Sequence, residues 1–436
     1  MAKTANVKYL IIGNSAGAVG AAEAIRATDS SGAITIVSDE PYPAYSRPLI
    51  SKYLAAHRPL EKMLFRSADF YEQNNVKTLL GSKALKLNIA ERNVEIEGGA
   101  RLVWDKLLLA TGGSPIVPPM EGGNLKGIFK FLSLDDAKVI DSYLEGLVLK
   151  EPRAVVIGGG LIGMSVTEAL VKRGVRVTIV EMKNFILNAM LDAGTANIVA
   201  DKLKTAGVNI ATGRTTAKIN SNPAGAVANV VLDDGQILPA DMVIVAIGVR
   251  PRTDLAAGTE IKVNRGIVVD RHMATSVPGI YACGDVAEAY DAVYGQNRVI
   301  PIWPNAYVGG RVAGFNMSGG EAEYPGGTVM NSLNYFGIDV ASAGMVVPHD
   351  DTYEVLTNQF NDSSRRVVLK NGRVVGLAFT GSIEKSGIVH SLMKQQADVS
   401  AFKKELVAPD FGLASLPRGL WERQLVEHPV GISSGK

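Results

Sequence analysis

Val7-Lys8-Tyr9-Leu10-Ile11-Ile12-Gly13-Asn14-Ser15-Ala16-Gly17-Ala18 and Arg153-Ala154-Val155-Val156-Ile157-Gly158-Gly159-Gly160-Leu161-Ile162-Gly163 are two copies of one pattern: a short apolar strand, a glycine-rich turn and a small-residue helix. Their first glycines, Gly13 and Gly158, stand 145 positions apart. Such a turn lets the backbone approach a pyrophosphate, whose charge then sits on the unsatisfied N–H groups and positive dipole end of the following helix. The repeat predicts two bound dinucleotides. Gly13, Ser15 and Ala16 form the first turn, and Gly158, Gly160, Leu161, Ile162 and Gly163 form the second. The second is regular. The first carries Ser15 and Ala18 at the second and third glycine positions.

Each copy is followed by a second strand that ends in an acid. Ala33-Ile34-Thr35-Ile36-Val37-Ser38-Asp39-Glu40 places Asp39 26 residues after Gly13, and Val175-Arg176-Val177-Thr178-Ile179-Val180-Glu181 places Glu181 23 residues after Gly158. Both fit the position, about 20 residues beyond the fingerprint, from which a carboxylate accepts hydrogen bonds from a ribose hydroxyl. Glu181 would repel a 2′-phosphate, and Met182 follows it where an NADP site more often offers arginine, so the second site favours NAD. Two such sites in one chain point to an enzyme that moves electrons between two cofactors.

Composition agrees with a globular enzyme. A length of 436 residues suggests two or three domains. The formal net charge of +2 provides no basic footprint for nucleic acid, so no such partner is expected. No run approaches the 18 or so apolar residues of a membrane span, and the start reads as a strand and helix rather than a signal peptide; a cytoplasmic protein is expected. Cys283 is the single cysteine and lies far from any Cys-x-x-Cys pattern, which excludes a thiol relay within the chain. His57, His272, His349, His390 and His428 are scattered without zinc-like spacing, and no metal site is expected.

Three further segments carry a family resemblance: Ala110-Thr111-Gly112-Gly113, Val243-Ile244-Val245-Ala246-Ile247-Gly248-Val249-Arg250-Pro251 and Gly279-Ile280-Tyr281-Ala282-Cys283-Gly284-Asp285. With the two turns they follow the motif order of the pyridine nucleotide-disulfide oxidoreductase superfamily, which the chain resembles over nearly its whole length. Tyr45-Ser46-Arg47-Pro48-Leu49-Ile50-Ser51-Lys52 is similar to the flavin-side segment of rubredoxin reductases, ferredoxin reductases and nitrite reductase large subunits. Branches that reduce disulfides or form water from oxygen carry a redox cysteine in this neighbourhood. This chain has none there.

The resemblance implies FAD in the first site and NAD in the second. It gives Asp285 the ribityl chain of FAD, Gly284 a close backbone approach, and Ala110, Thr111 and Gly112 the return of the chain toward the flavin. Gly248 belongs to the corresponding return in the second half. Lys52 and Arg47 become candidates for positive groups that favour a reduced, anionic flavin ring, the alternative being solvated surface charges. Relatives usually pair that lysine with a glutamate two residues beyond the last glycine of the second turn; here the position is Ser165, and Glu168 lies about one helical turn further on. Trp303 sits where relatives start a helix aimed at the flavin, either against the ring edge or as a core tryptophan.

The implied fold is α/β: two Rossmann-like dinucleotide-binding domains plus a C-terminal α+β domain. Residues 1–120 and 260–325 form a discontinuous FAD domain, 121–259 an inserted NAD domain, and 326–436 the C-terminal domain. In that last region Tyr353-Glu354-Val355-Leu356 and Arg366-Val367-Val368-Leu369 read as strands joined by Lys370-Asn371-Gly372-Arg373, whose Asn-Gly pair signals a hairpin. In related reductases this region covers the flavin or forms a subunit interface, so oligomers through it are expected. The tail apolar residues Phe411, Leu413, Leu416, Leu420 and Trp421 dock on the body or on a partner.

Flavin converts between the hydride of nicotinamide and single electrons, so the favoured function is electron exchange between NAD(H) and a protein-borne carrier of the iron-sulfur, rubredoxin or ferredoxin type. The chain acts either as a free reductase or as the FAD subunit of a larger complex. It also resembles FAD subunits of tungsten aldehyde oxidoreductases and phenylglyoxylate dehydrogenases. A peroxide-forming NADH oxidase and an NADH-sensing flavoprotein are the alternatives.

Overall fold

A computed structural model describes residues 4–420. Trp421 and His428 lie outside the described residues. The chain divides into two compact units: the first runs to Val180 and resumes over Arg214–Thr328, and the second takes Glu181–Gly213 and continues from Val329.

The first unit holds both glycine-rich turns, each at the end of a parallel strand. Strands β1 (Thr4–Ile12), β2 (Ile34–Ser38), β3 (Val76–Leu80), β4 (Ala84–Asn88), β5 (Asn93–Ile96) and β6 (Arg101–Leu109) form one sheet in the order β3-β2-β1-β6-β5-β4. The run Ile34-Thr35-Ile36-Val37-Ser38 is buried at every position, as a parallel strand covered on both faces must be. The short strand β7 (Gly113–Pro115) leaves this sheet, and β8 (Ile128–Lys130) opens the next. There β9 (Arg153–Ile157), β10 (Arg176–Glu181) and β11 (Met242–Val245) run parallel in the order β10-β9-β11-β8. Strand β12 (Val249–Pro251) then returns antiparallel to β7, so one two-stranded ladder carries both crossings between the sheets. Strand β13 (Ile280–Ala282) rejoins the first sheet beside β6, and the chain order of an insertion is complete.

Five helices matter for the site: α1 (Ala16–Thr28), α2 (Ile50–Ala56), α3 (Leu134–Glu145), α4 (Leu161–Lys172) and α5 (Trp303–Met317). Helices α1 and α5 pack backbone to backbone. A Cβ on Gly310 would lie 2.0 Å from Gly17 O, and one on Gly314 2.3 Å from Ala21 O. Only glycine permits that approach.

The second unit contains a five-stranded antiparallel sheet, in the order Met330–Tyr335, Ile338–Gly344, Arg373–Thr380, Ser363–Lys370 and Glu354–Phe360, with helix Ser386–Lys394 against it. The Asn371-Gly372 pair does make a tight hairpin, with both residues at positive φ, 50° and 70°. It joins Ser363–Lys370 to Arg373–Thr380, however, rather than the two strands it was expected to link. Those are joined at Asn361-Asp362, where Asn361 tolerates φ 50°. Of the tail residues, Phe411 and Leu416 are buried within the chain.

Candidate nucleotide and electron-transfer site

Both turns are shaped by the same obstacle. Gly13, at φ 115°, leaves a hypothetical Cβ 2.1 Å from Ala110 O; Gly158, at φ 108°, leaves one 2.5 Å from Ala246 O. In each half the strand end of the fingerprint is pressed against the strand that returns beside it, β6 for the first and β11 for the second. In neither following helix does the N-cap residue supply a side-chain cap: Ser15 makes no cap hydrogen bond at α1, and Gly160 has no side chain to make one at α4. Helix α3, which follows no glycine turn, has a full capping box of Ser133 and Asp136. A helix start whose N-cap residue makes no side-chain cap, behind a turn led by a positive-φ glycine, is the kind of cradle that a pyrophosphate fills.

The third positions differ. In the second copy a Cβ on Gly163 would sit 1.9 Å from Gly158 O, so the turn closes on itself. In the first copy Ala18 fits, fully buried, and the tight contact moves to Gly17, whose Cβ would be 2.7 Å from Cys283 Sγ. Cys283 is fully buried, and burial foremost, with the Asp285 carboxylate second, pushes its thiol up to about 12. It is a packing residue.

Asp285 follows Gly284 (φ 74°) on a short 3-10 turn after β13. Its carboxylate takes no hydrogen bond or ion pair among the described residues. Burial pushes it up to about 6, while Arg47 pulls it down. A partly desolvated acceptor with no internal partner fits the hydroxyls of a ribityl chain. Asp39 follows β2 directly and pairs with Arg252, Nη2 to Oδ2 2.8 Å. Burial raises its carboxyl, but the Arg252 hydrogen bond and charge outweigh that and hold it low. Arg47 is bound to the neighbouring acid Glu40, which also accepts from Tyr45 OH at 2.6 Å. Tyr45 OH in turn accepts from Leu134 N at 3.0 Å, and Arg47 donates to Leu132 O. Arg47 therefore reaches the site with its charge already balanced.

Lys52 stands exposed on α2 and makes no ion pair among the described residues. Glu168 does not serve it: that side chain is buried and bound to Lys172 Nζ at 2.9 Å. Helix α2 packs on α4 and α3, and Arg173 anchors it by donating to Leu54 O at 2.9 Å and to Asp141 Oδ1 at 2.5 Å. Trp303 opens α5 half-buried, edge-on to Phe65 with centroids 5.0 Å apart. Thr111 Oγ1 donates to Arg252 O at 2.7 Å, and Ile116 N to Gly248 O at 2.9 Å, so Ala110 to Gly112 and Gly248 are tied to the crossing ladder.

The first unit thus holds every expected site residue except Glu181, which ends β10 buried and accepts from Lys183 N at 2.8 Å within the second unit. Sequence reasoning missed Glu40, Tyr45 and Arg252. The first two stand inside quoted segments without a role, because no spacing rule marks them, and Arg252 reaches Asp39 across 213 positions. One group of potential metal-ligand atoms occurs among the described residues: His57, Asp141 and Glu145, mutually within 4.8 Å. Arg173 already occupies Asp141 there, and no metal role is assigned. Among the described residues no helix is long and apolar enough to cross a membrane.

Comparison with known proteins matches this geometry. Residues 7–310 fit the pyridine nucleotide-disulphide oxidoreductase family, and residues 330–397 the rubredoxin NAD+ reductase C-terminal domain. The chain is 33% identical to the NADH-dependent phenylglyoxylate dehydrogenase subunit epsilon of Aromatoleum evansii, over 92% of this chain and 95% of that one. It is 30% identical to a nitrite reductase [NAD(P)H] of Bacillus subtilis over 85% of its length, but spans only 45% of that relative. Among solved structures, the covalent putidaredoxin reductase–putidaredoxin complex superposes with a TM-score of 0.85 at 26% identity, covering 97% of this chain and 100% of that one.

Proposed function

Because the chain belongs to the pyridine nucleotide-disulphide oxidoreductase family and is an FAD-dependent NAD(H) oxidoreductase, we propose that it exchanges electrons with an iron-sulfur or rubredoxin-type protein, as the flavin subunit of a larger complex. The observation that carries this reading is Cys283. It is the only cysteine in the chain, fully buried, with its thiol pushed up to about 12. A thiolate is the reactive form, so no internal disulfide chemistry receives the electrons and an acceptor outside the chain takes them. The subunit reading rests on the near full-length match to a named dehydrogenase subunit.

In this proposal the Gly13 turn, Asp39 and Asp285 hold FAD, with Gly284 and the Ala110-Thr111-Gly112 return beside it; the Gly158 turn, Glu181 and Gly248 hold NAD(H). FAD supplies the conversion between hydride and single-electron transfer. The chain's own residues bind and orient: the N-terminal ends of α1 and α4, behind their glycine-led turns, take the pyrophosphates, and Asp285 accepts from the ribityl hydroxyls. Lys52, its charge unbalanced, adds positive potential beside the ring, and Arg47 contributes less because Glu40 offsets it. Trp303 and Phe65 exclude water at the mouth of α5. No general base is required. Residues 121–259 form the NAD-binding domain, and residues 1–120 with 260–325 form the FAD-binding domain. We place the reaction in the cytoplasm, where a lone thiol stays reduced. The C-terminal sheet supports association between chains, since its outer strands expose Met330 and Val355.

Gentle isolation from the native source, followed by identification of what co-purifies, tests the reading. A stoichiometric iron-sulfur partner and NADH-driven reduction of that partner are expected. Oxygen uptake as fast as carrier reduction defeats it in favour of a peroxide-forming oxidase.

A further inference from the structure

Among the described residues, the Arg252–Asp39 pair joins the first nucleotide site to the crossing ladder through charge. Arg252 follows β12, and its backbone is held on both sides: its N–H donates to Gly112 O at 2.9 Å, and its carbonyl accepts from Thr111 Oγ1 at 2.7 Å. From that fixed base its guanidinium reaches Asp39 Oδ2 at 2.8 Å. Asp39 sits at the C-terminal end of β2, next to the strand that feeds the Gly13 turn; Gly13 N itself donates to Val37 O at 2.8 Å. Both side chains of the pair remain partly accessible, 32% for Arg252 and 40% for Asp39. Oδ1 of Asp39 takes no other side chain among the described residues.

We propose that Arg252 is a positioning residue for the adenosine end of FAD, holding Asp39 ionised and turned so that its second oxygen meets the ribose hydroxyls. The inference rests on the reading of Asp39 as the ribose acid of the first site. A carboxylate offers about four acceptor positions, and Arg252 uses one oxygen while leaving the other oriented. Arginine suits the task because its charge persists at every working pH and its single Nη2 contact occupies Oδ2 alone. The effect is selective for chemistry: it acts on ligands that carry an adenosine ribose, FAD and ADP, and not on FMN, which lacks one. It also makes the adenosine end of the flavin site and the connection between the two sheets share one residue.

Full-length protein stripped of FAD, titrated with FAD, ADP and FMN by flavin fluorescence and calorimetry, tests this. Arg252→Gln should weaken FAD and ADP about tenfold, the range of one charged hydrogen bond, and leave FMN within twofold. Arg252→Lys should recover part of the loss. In the Asp39→Asn background Arg252→Gln should add nothing. The FAD affinity of Arg252→Gln should also begin to fall at a higher pH than that of the parent, because Asp39 then titrates nearer its ordinary range. Unchanged FAD affinity in Arg252→Gln, with Asp39→Asn impaired, overturns the role of Arg252 alone. Unchanged affinity in Asp39→Asn overturns the ribose-acid reading beneath it. Equal loss for FAD, ADP and FMN, or losses that add across the pair, reduces Arg252 to a structural residue.

Discussion

The two glycine-rich turns are alike where they meet a neighbouring strand and unlike in what lies beneath them. Gly13 and Gly158 both press on a returning backbone carbonyl, and in each following helix the N-cap residue makes no side-chain cap. Beneath the second turn, Gly163 closes on Gly158 itself, so the requirement is local and shows as regular glycine spacing. Beneath the first, the close approach is made by a helix nearly 300 residues away, and the glycines that permit it are Gly17, Gly20, Gly310 and Gly314. A fingerprint is a record of which backbones must touch. When the partner moves, the glycines move with it.

The largest effects should come from filling the turns. Gly13→Ala forces a Cβ into Ala110 O at positive φ and should cost on the order of 3 kcal/mol, with the protein purifying free of flavin. Gly158→Ala should keep its flavin spectrum and lose NADH reduction. Flavin content and NADH bleaching measured side by side check both, and loss of flavin from the Gly158 variant would break the division of labour between the halves.

Next comes Asp285, which has no counterpart argued for the second half. Asp285→Asn removes a charged acceptor and should weaken FAD roughly 10–100-fold, in equilibrium titration of the stripped protein. The sign with pH follows from its raised carboxyl. In the FAD-free protein the folded state binds the proton more tightly than the unfolded chain, so this group's contribution to stability falls as pH rises from about 4 through about 6. FAD favours the ionised form, so binding releases a proton and affinity should rise over the same window. A flat affinity between pH 5 and 7 would remove Asp285 from the ribityl chain.

Smaller still is the effect of Ser165→Glu, which places an acid on α4, the helix on which the Lys52 helix packs. A lower flavin midpoint potential is expected, by about 0.2–1 kcal/mol of redox free energy, the worth of an exposed ion pair. An unchanged potentiometric midpoint would show that Lys52 is an ordinary surface charge. Cys283→Ser should affect turnover least. It buries a hydroxyl at a cost of about 1 kcal/mol in thermal unfolding, and steady-state activity should stay the same. Any large loss of turnover would return the thiol to the mechanism.

Much of this is legible in the chain. Strand, turn and helix around Gly13 and Gly158 follow from apolar runs and glycine, and the motif order marks an insertion. Asp285 stands out because its neighbours Gly279 to Gly284 carry a resemblance. The balance of charge around Arg47 is not legible, because Glu40 and Tyr45 act through side-chain geometry that no spacing encodes. The partner of Asp39 is hidden by 213 intervening positions. Asn371-Gly372 reads correctly as a hairpin but is matched to the wrong pair of strands, since a turn signal does not say which strand follows.

The pairing of α1 with α5 also sets an order of assembly. Thr28 and Ser318, at the far ends of these helices, are hydrogen-bonded across 290 positions, whereas the strands β8 to β11 lie within residues 128–245. A chain emerging from the ribosome at about 5–20 residues per second therefore exposes all the strands of the inserted sheet several seconds before the last turn of α5 exists. Until then the underside of α1, with Gly17, Gly20 and Ala21, has no cover. The half that carries the Gly13 turn is the first to be started and among the last to be finished, so on the proposed assignment its nucleotide site is completed after the strands of the inserted half have been made.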